Sequence, residues 1–296
     1  MTRRRWIADE FSADCAALTG AHAAHLARTL RAQVGQEFEV ACGDQVRRAI
    51  VSSVSDDRVE FILGEEFSSK DFVPITLLLA IFKFDRMEWA IEKCTELNVT
   101  KIVPVIARRT EKHLALAAEK RVERWRRIAR EASEQSRRTA PPEIASPIKL
   151  KDTLAQIDSA NKCTVIPTEG FSASGGICGS PEGALNVLPD DDSGNKRDVS
   201  SRPRSKATSG GTCGASEVEL RIVLAETERT VTLSDILRAN PTTPSLTLAV
   251  GPEGGWTTDE LQLFASSRWI AASLGDTILR AETAAIAALA IARSEI

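Results

Sequence analysis

From Phe72 to Ile296, short apolar runs and amphipathic segments take turns, and this alternation constrains the chain more than any other feature. "PITLLLAIF", "KIVPVIA", "LRIVLAE", "SLTLAV" and "IAASLG" read as strands, the first of them buried. "RMEWAIEKCTELN", "LAAEKRVERWRRIAREASEQS", "TTDELQLFASS" and "AETAAIAALAIARSE" read as helices. Strands separated by helices pair in parallel, so residues 72–296 are expected to form an α/β domain around a mainly parallel sheet. Asn98 at the end of "EKCTELN" suits a left-handed helix cap, because Asn tolerates positive φ.

The chain of 296 residues is long for one core and is read as two domains. Residues 1–71 carry the β-rich runs "EFEVAC", "RRAIVSSVS" and "RVEFILG" behind a helical "GAHAAHLARTLRA", which predicts a small barrel-like module. Residues 170–216 hold nine of the 17 glycines and a single aromatic residue, Phe171, too little apolar surface to offset ordering. They are read as a disordered insertion in the second domain. A net charge of -3 confines any nucleic-acid contact to a local basic face. Six scattered cysteines without a CxxC pair argue against a metal site or a disulfide framework. "MTRRRWIADEF" lacks the apolar core of a secretory signal, and the longest apolar stretch is about half a membrane span, so a cytoplasmic protein is expected.

Two loops carry the candidate chemistry. "GPEGG", Gly251 to Gly255, matches neither a dinucleotide fingerprint nor a P-loop and has no lysine for a phosphate. Its proline sets the entry, while Gly254 and Gly255 can take positive φ and open the backbone to a flat ligand edge such as adenine or ribose. A plain strand-to-helix turn is equally compatible with this loop, and Thr257 or Thr258 would cap the helix that follows. In "LGDTILRAET", Glu282 and Thr283 fit a helix cap, yet Arg280 beside Glu282 after a glycine turn also fits a reaction site.

Taken in order, "HLARTLRAQVGQEFEVACG", "KFDRMEWAIEKCTELNVTKIVPVIARRT", "RWRRIAREASEQSRRTAPPEI", "AVGPEGGWTTDEL" and "LGDTILRAETAAIAAL" resemble the RsmE family of 16S ribosomal RNA uridine N3-methyltransferases, in the SPOUT superfamily. The resemblance spans nearly all of the chain outside residues 170–216. It implies a trefoil-knotted parallel-sheet methyltransferase domain preceded by a PUA-like RNA-binding barrel, working as a homodimer. It also implies S-adenosylmethionine as cofactor, held by Glu226, Gly251, Pro252, Glu253, Gly254, Gly255, Leu274, Gly275, Ile278, Leu279 and Arg280. Arg280 would stabilise a uracil anion, and Glu282 would orient Arg280 or accept the N3 proton. Arg5, His25, Arg31, Arg86, Lys93, Arg109, Arg124 and Arg138 are expected to line one basic groove for 16S rRNA in the decoding region of the 30S subunit. Asp276 and Thr277 depart from the family, where Pro and Arg are frequent, and Asn98 stands where Gly is usual. The alternatives are a SPOUT enzyme acting on another RNA, a non-catalytic RNA-binding assembly factor, and a nucleotide-dependent oxidoreductase, which the missing dinucleotide fingerprint disfavours.

Overall fold

Apolar residues at successive positions of "ITLLLA" face alternately to two sides of one sheet, and each side has its own layer of helices. The structure, a computed structural model, describes residues 5–67, 72–162 and 219–296, with residues 160–162 described by their backbone alone. The insertion read at 170–216 and the boundary read at Asp71 lie outside the described residues.

The N-terminal sheet consists of β1 (Trp6–Ile7), β2 (Glu10–Phe11), β3 (Cys15–Thr19), β4 (Glu37–Cys42), β5 (Gln45–Val54) and β6 (Arg58–Phe67), in the order β1-β4-β5-β6-β3-β2. All its pairs are antiparallel except β1 with β4. Register shifts at Arg47/Ala49 and Val51/Ser53 add the local twist that curls the sheet over Trp6, Leu18, Leu26, Val40 and Phe61. The helical "GAHAAHLARTLRA" is α1 (Gly20–Ala24) running into one wide π turn at His25–Thr29.

The second sheet holds β7 (Ile75–Ala80), β8 (Lys101–Ile106), β9 (Glu143–Ile144), β10 (Ile148–Lys149), β11 (Leu220–Leu224), β12 (Leu246–Val250) and β13 (Ile270–Ala272). Its order is β10-β8-β7-β12-β11-β13, with β9 also on β8, and every pair is parallel. One face packs on α2 (Phe84–Glu96), α4 (Val122–Gln135), α6 (Leu233–Ala239) and α8 (Ala281–Glu295) through Leu77, Leu79, Leu248 and Val250. The other face packs on α5 (Leu150–Lys162) and α7 (Thr258–Ser266) through Leu78, Val103, Val105 and Ala249. On α8 the buried Ala281, Ala285, Ala288 and Ala292 recur every three or four residues, so α2 and α8 pack on a seam of small side chains.

The helix read as one piece over residues 116–136 is broken. α3 (Lys112–Ala117) is followed by a 3-10 turn at Glu119–Arg121 and then by α4. Glu134 on α4 is fully buried and meets His22 at 3.1 Å and Arg130 at 3.6 Å. Asn98 takes φ 63°, and Arg293 donates to the carbonyls of Leu97 and Asn98 at the same helix end.

α7 begins with a reciprocal capping box: Thr257 accepts from the Glu260 backbone N–H, and the Glu260 carboxylate accepts from that of Thr257. Glu260 also accepts the Arg108 backbone N–H at 2.7 Å, which ties the loop after β8 to this helix. Thr257→Ala is expected to cost about 1 kcal/mol, since Glu260 keeps its other partner; a thermal melt unchanged within error would contradict this.

Candidate functional site

β12, β11 and β13 are neighbours in the sheet, and their last residues Val250, Leu224 and Ala272 lie side by side. The loops that leave these ends therefore meet above the strands, the usual place for a site in a parallel sheet. They enclose a cavity of about 670 Å³.

The first wall is the glycine loop. Gly255 donates to the Pro252 carbonyl at 2.8 Å and closes a tight turn around Glu253 and Gly254. Gly255 has φ +68°, a conformation that a side chain would strain. A Cβ on Gly251 would come within 3.2 Å of Trp256 Nε1, and that indole sits edge-on to Phe264, which meets Trp269 in the same manner. Apolar stacking thus fixes the exit of the loop. Two arginines from the β7 and β8 side fix its crest: Arg86 pairs with Glu253 at 2.8 Å, and Arg109 donates to the Gly254 carbonyl.

The second wall, residues 225–231, is stapled by Glu228. Its carboxylate accepts the Thr230 hydroxyl and the backbone N–H groups of Arg229, Thr230 and Val231, which draws its pKa down to about 2. The third wall, Leu274 to Leu279, is tied to the second through Ser273 N–H donating to the Val231 carbonyl and Ala225 N–H donating to the Ala272 carbonyl. Gly275 has φ +120°, and Ile278 is 80% exposed at the mouth. Glu226 faces Gly255, its carboxylate 3.6 Å from where a Cβ would be.

The residues singled out from sequence for the cofactor, Glu226, Gly251 to Gly255, Leu274, Gly275, Ile278 and Leu279, all line this cavity; Arg280 does not. Arg280 is the residue before α8; its carbonyl accepts the Ala284 N–H at 2.8 Å, while its exposed side chain has no hydrogen bond or ion pair among the described residues. Glu282 does not cap α8 as a simple helix start would have it, nor does it meet Arg280. It is 5% exposed, with Oε1 3.8 Å from Arg86 Nε and Oε2 buried without a hydrogen-bond partner. Sequence reasoning missed Trp256 and Glu228. The "ETERT" run, with a carboxylate two residues before a hydroxyl, was a legible signal for the Glu228 staple.

The expected basic groove is not a continuous positive surface. His25 and Arg124 line a second cavity of about 870 Å³ that also carries Asp85, Glu88, Glu92, Glu96, Glu131 and Glu134. Arg124 is paired with Glu88 at 2.7 Å, and Lys93 with Glu92 and Glu96 at 2.8 Å each. Arg5 is held by Glu39 and by the Arg137 carbonyl. Arg138 donates to the Thr95 carbonyl at 2.9 Å, and burial, with Arg293 nearby, pulls its pKa down to about 10. Charge reversal at Arg138 would therefore disturb packing and not only a nucleic-acid contact. Arg31, with φ 51°, is exposed. Among the described residues no group of three or more His, Cys, Asp or Glu side chains is placed to hold a metal ion, and no helix is long and apolar enough to cross a membrane.

A family profile of RNA methyltransferase domains matches residues 69–176 and 211–293. The ribosomal RNA small subunit methyltransferase E of Bacillus subtilis is 26% identical over 276 residues, covering 92% of this chain and 87% of the relative. That of Synechocystis is 27% identical over 274 residues, covering 92% and 71%. Among solved structures, a ribosomal RNA small subunit methyltransferase E from Neisseria gonorrhoeae bound to S-adenosyl methionine shares the fold with a TM-score of 0.69 at 24% identity, over 99% of this chain and 97% of that one. The Legionella pneumophila protein Lpg2936, in complex with the same cofactor, gives 0.69 at 21% identity over 99% and 98%. With the family profile spanning most of its length and these relatives aligned over 92% of it, the chain belongs to the RsmE family of RNA methyltransferases.

Proposed function

We propose that this protein transfers a methyl group from S-adenosylmethionine to N3 of a uridine in the decoding region of 16S rRNA, in the small ribosomal subunit. The observation that carries the reading is the cavity at the ends of three adjacent parallel strands, built from glycine backbone on one side and apolar side chains on the other. A Cβ on Gly251 or Gly254 would press on Trp256 or Arg109 and one on Gly255 would strain the loop, so the loop presents bare backbone at these three positions. Leu224, Val250, Leu274 and Leu279 offer apolar surface for an adenine, and Glu226 offers a carboxylate for ribose hydroxyls. The residues present fit an adenosyl group.

When bound, S-adenosylmethionine supplies an electrophilic methyl group, already activated on a sulfonium. The protein must align that methyl with its target and make the target nucleophilic. Uracil N3 becomes nucleophilic as it loses its proton. Arg280, whose exposed side chain has no partner among the described residues, is assigned to stabilise the negative charge that develops on uracil O2 or O4. Glu282 does not meet Arg280, so of its two sequence-derived roles accepting the N3 proton is the one we assign it.

The same reading gives the N-terminal sheet a PUA-like, RNA-binding role, ties the C-terminal chain into a trefoil knot, and makes the active form a homodimer. Arg31 remains a residue proposed to meet RNA, together with Arg5, Lys93, Arg109, Arg124, His25 and Arg138 where their partners within the protein release them.

Gly255→Val is expected to weaken cofactor binding about tenfold to a hundredfold, because a β-branched residue at this φ carries roughly 1–3 kcal/mol of strain that the loop relieves by moving. Calorimetric titration with S-adenosylhomocysteine checks it; an unchanged Kd removes the loop from the site. The activity itself is tested by incubating the protein with methyl-labelled S-adenosylmethionine and either 30S particles or free 16S rRNA, then identifying the nucleoside by mass spectrometry. Label in 3-methyluridine supports the reading; label in another nucleoside, or none in either RNA, refutes it.

A further inference from the structure

Arg86 was read as an RNA contact, yet its surroundings give it a different task. It lies in the first turn of α2, where the helix dipole disfavours a cation. Two carboxylates answer that charge, from segments far apart in sequence: Glu253 on the crest of the glycine loop at 2.8 Å, and Glu282 in the first turn of α8, 3.8 Å from Arg86 Nε. Glu282 sits at the end of α8 that favours an anion, but it makes no capping bond there. Its Oε2 is buried without a partner, and Arg86 is the one cation that meets its side chain among the described residues. A buried carboxylate with so few donors keeps its orientation only through the group that pairs with it.

We infer that Arg86 is a positioning residue. It clasps Glu282 to the glycine loop through Glu253, so that the proton acceptor and the cofactor wall are set in place together. This rests on the methyltransferase reading above. Arg86 is then not a substrate contact: its effect on turnover passes through Glu282. The fork geometry of a guanidinium suits a two-carboxylate bridge, whereas a lysine offers a single point charge.

The test is a double-mutant cycle in the full-length protein, with kcat on ribosomal RNA, Kd for S-adenosylhomocysteine by calorimetry, and Tm as readouts. Arg86→Gln is expected to lower kcat about tenfold to a hundredfold while Kd rises no more than about threefold, and Arg86→Lys is expected to recover part of the loss. In a Glu282→Gln background, adding Arg86→Gln is expected to lower kcat by less than about twofold, since the residue it acts through is already neutral. Losses that multiply, or a loss confined to Kd, overturn the inference. Should the parent protein methylate no ribosomal RNA, the proposed function falls, and Tm still judges the clasp. Arg86→Gln must then lower Tm by more in the parent than in the Glu282→Gln protein; equal shifts overturn the link.

Discussion

Glu282→Gln is expected to lower kcat by about two to four orders of magnitude with little change in Kd for S-adenosylhomocysteine, the range a positioned general base contributes. The substitution keeps size and shape and removes the charge. Glu282 is 5% exposed and lies in the first turn of α8, so a stability effect has to be separated from a chemical one. The amide keeps an oxygen that can face Arg86, 3.8 Å from Nε in the parent, and removes a buried charge whose other oxygen has no donor. The fold is therefore expected to survive with a melting temperature near that of the parent. Single-turnover methylation of ribosomal RNA reads the loss directly; a rate within threefold of the parent would show that the N3 proton leaves by another route.

Arg280→Ala is expected to lower kcat by about a hundredfold to a thousandfold, the effect of removing one preorganised donor from a developing anion. Unlike Glu282, Arg280 is exposed and joins no network among the described residues, so its loss leaves nothing unpaired. Its side chain does not line the cavity, so cofactor affinity is expected to stay within about threefold of the parent. A full rate with Arg280→Ala, or a loss that appears only in Kd, assigns Arg280 to something other than the uracil.

Much of this architecture was legible because parallel strands covered on both faces are apolar at nearly every position. "LTLAV" is buried throughout, and the runs beginning at Ile75, Lys101, Leu220 and Ile270 became neighbouring parallel strands. Of the two loop glycines read as able to take positive φ, Gly255 does and Gly254 does not. Shorter elements escaped. α6 is only seven residues long, although Thr232 and Asp235 form a capping box that its "TLSD" run announces. β3, "CAALT", pairs with β6 through a segment whose two alanines weaken its strand signal. Charge was the hardest feature to read. Spacing along one helix could not reveal that Arg124 would meet Glu88 on α2, that Arg138 would turn to the Thr95 carbonyl, or that Arg86 would find Glu253 and Glu282 more than 150 residues away. Pairings of this kind depend on which helices pack together, and periodicity within a segment does not encode that.

The central claim is that residues 224–229, 250–256 and 272–279 enclose one adenosyl group. A crystal structure of this protein grown with S-adenosylhomocysteine tests it most directly. The adenine and ribose are expected between the glycine loop and Leu274 to Leu279, in contact with main-chain atoms of Gly251 to Gly255. The same ligand bound against other residues, with the cavity above β11, β12 and β13 vacant, would contradict the account.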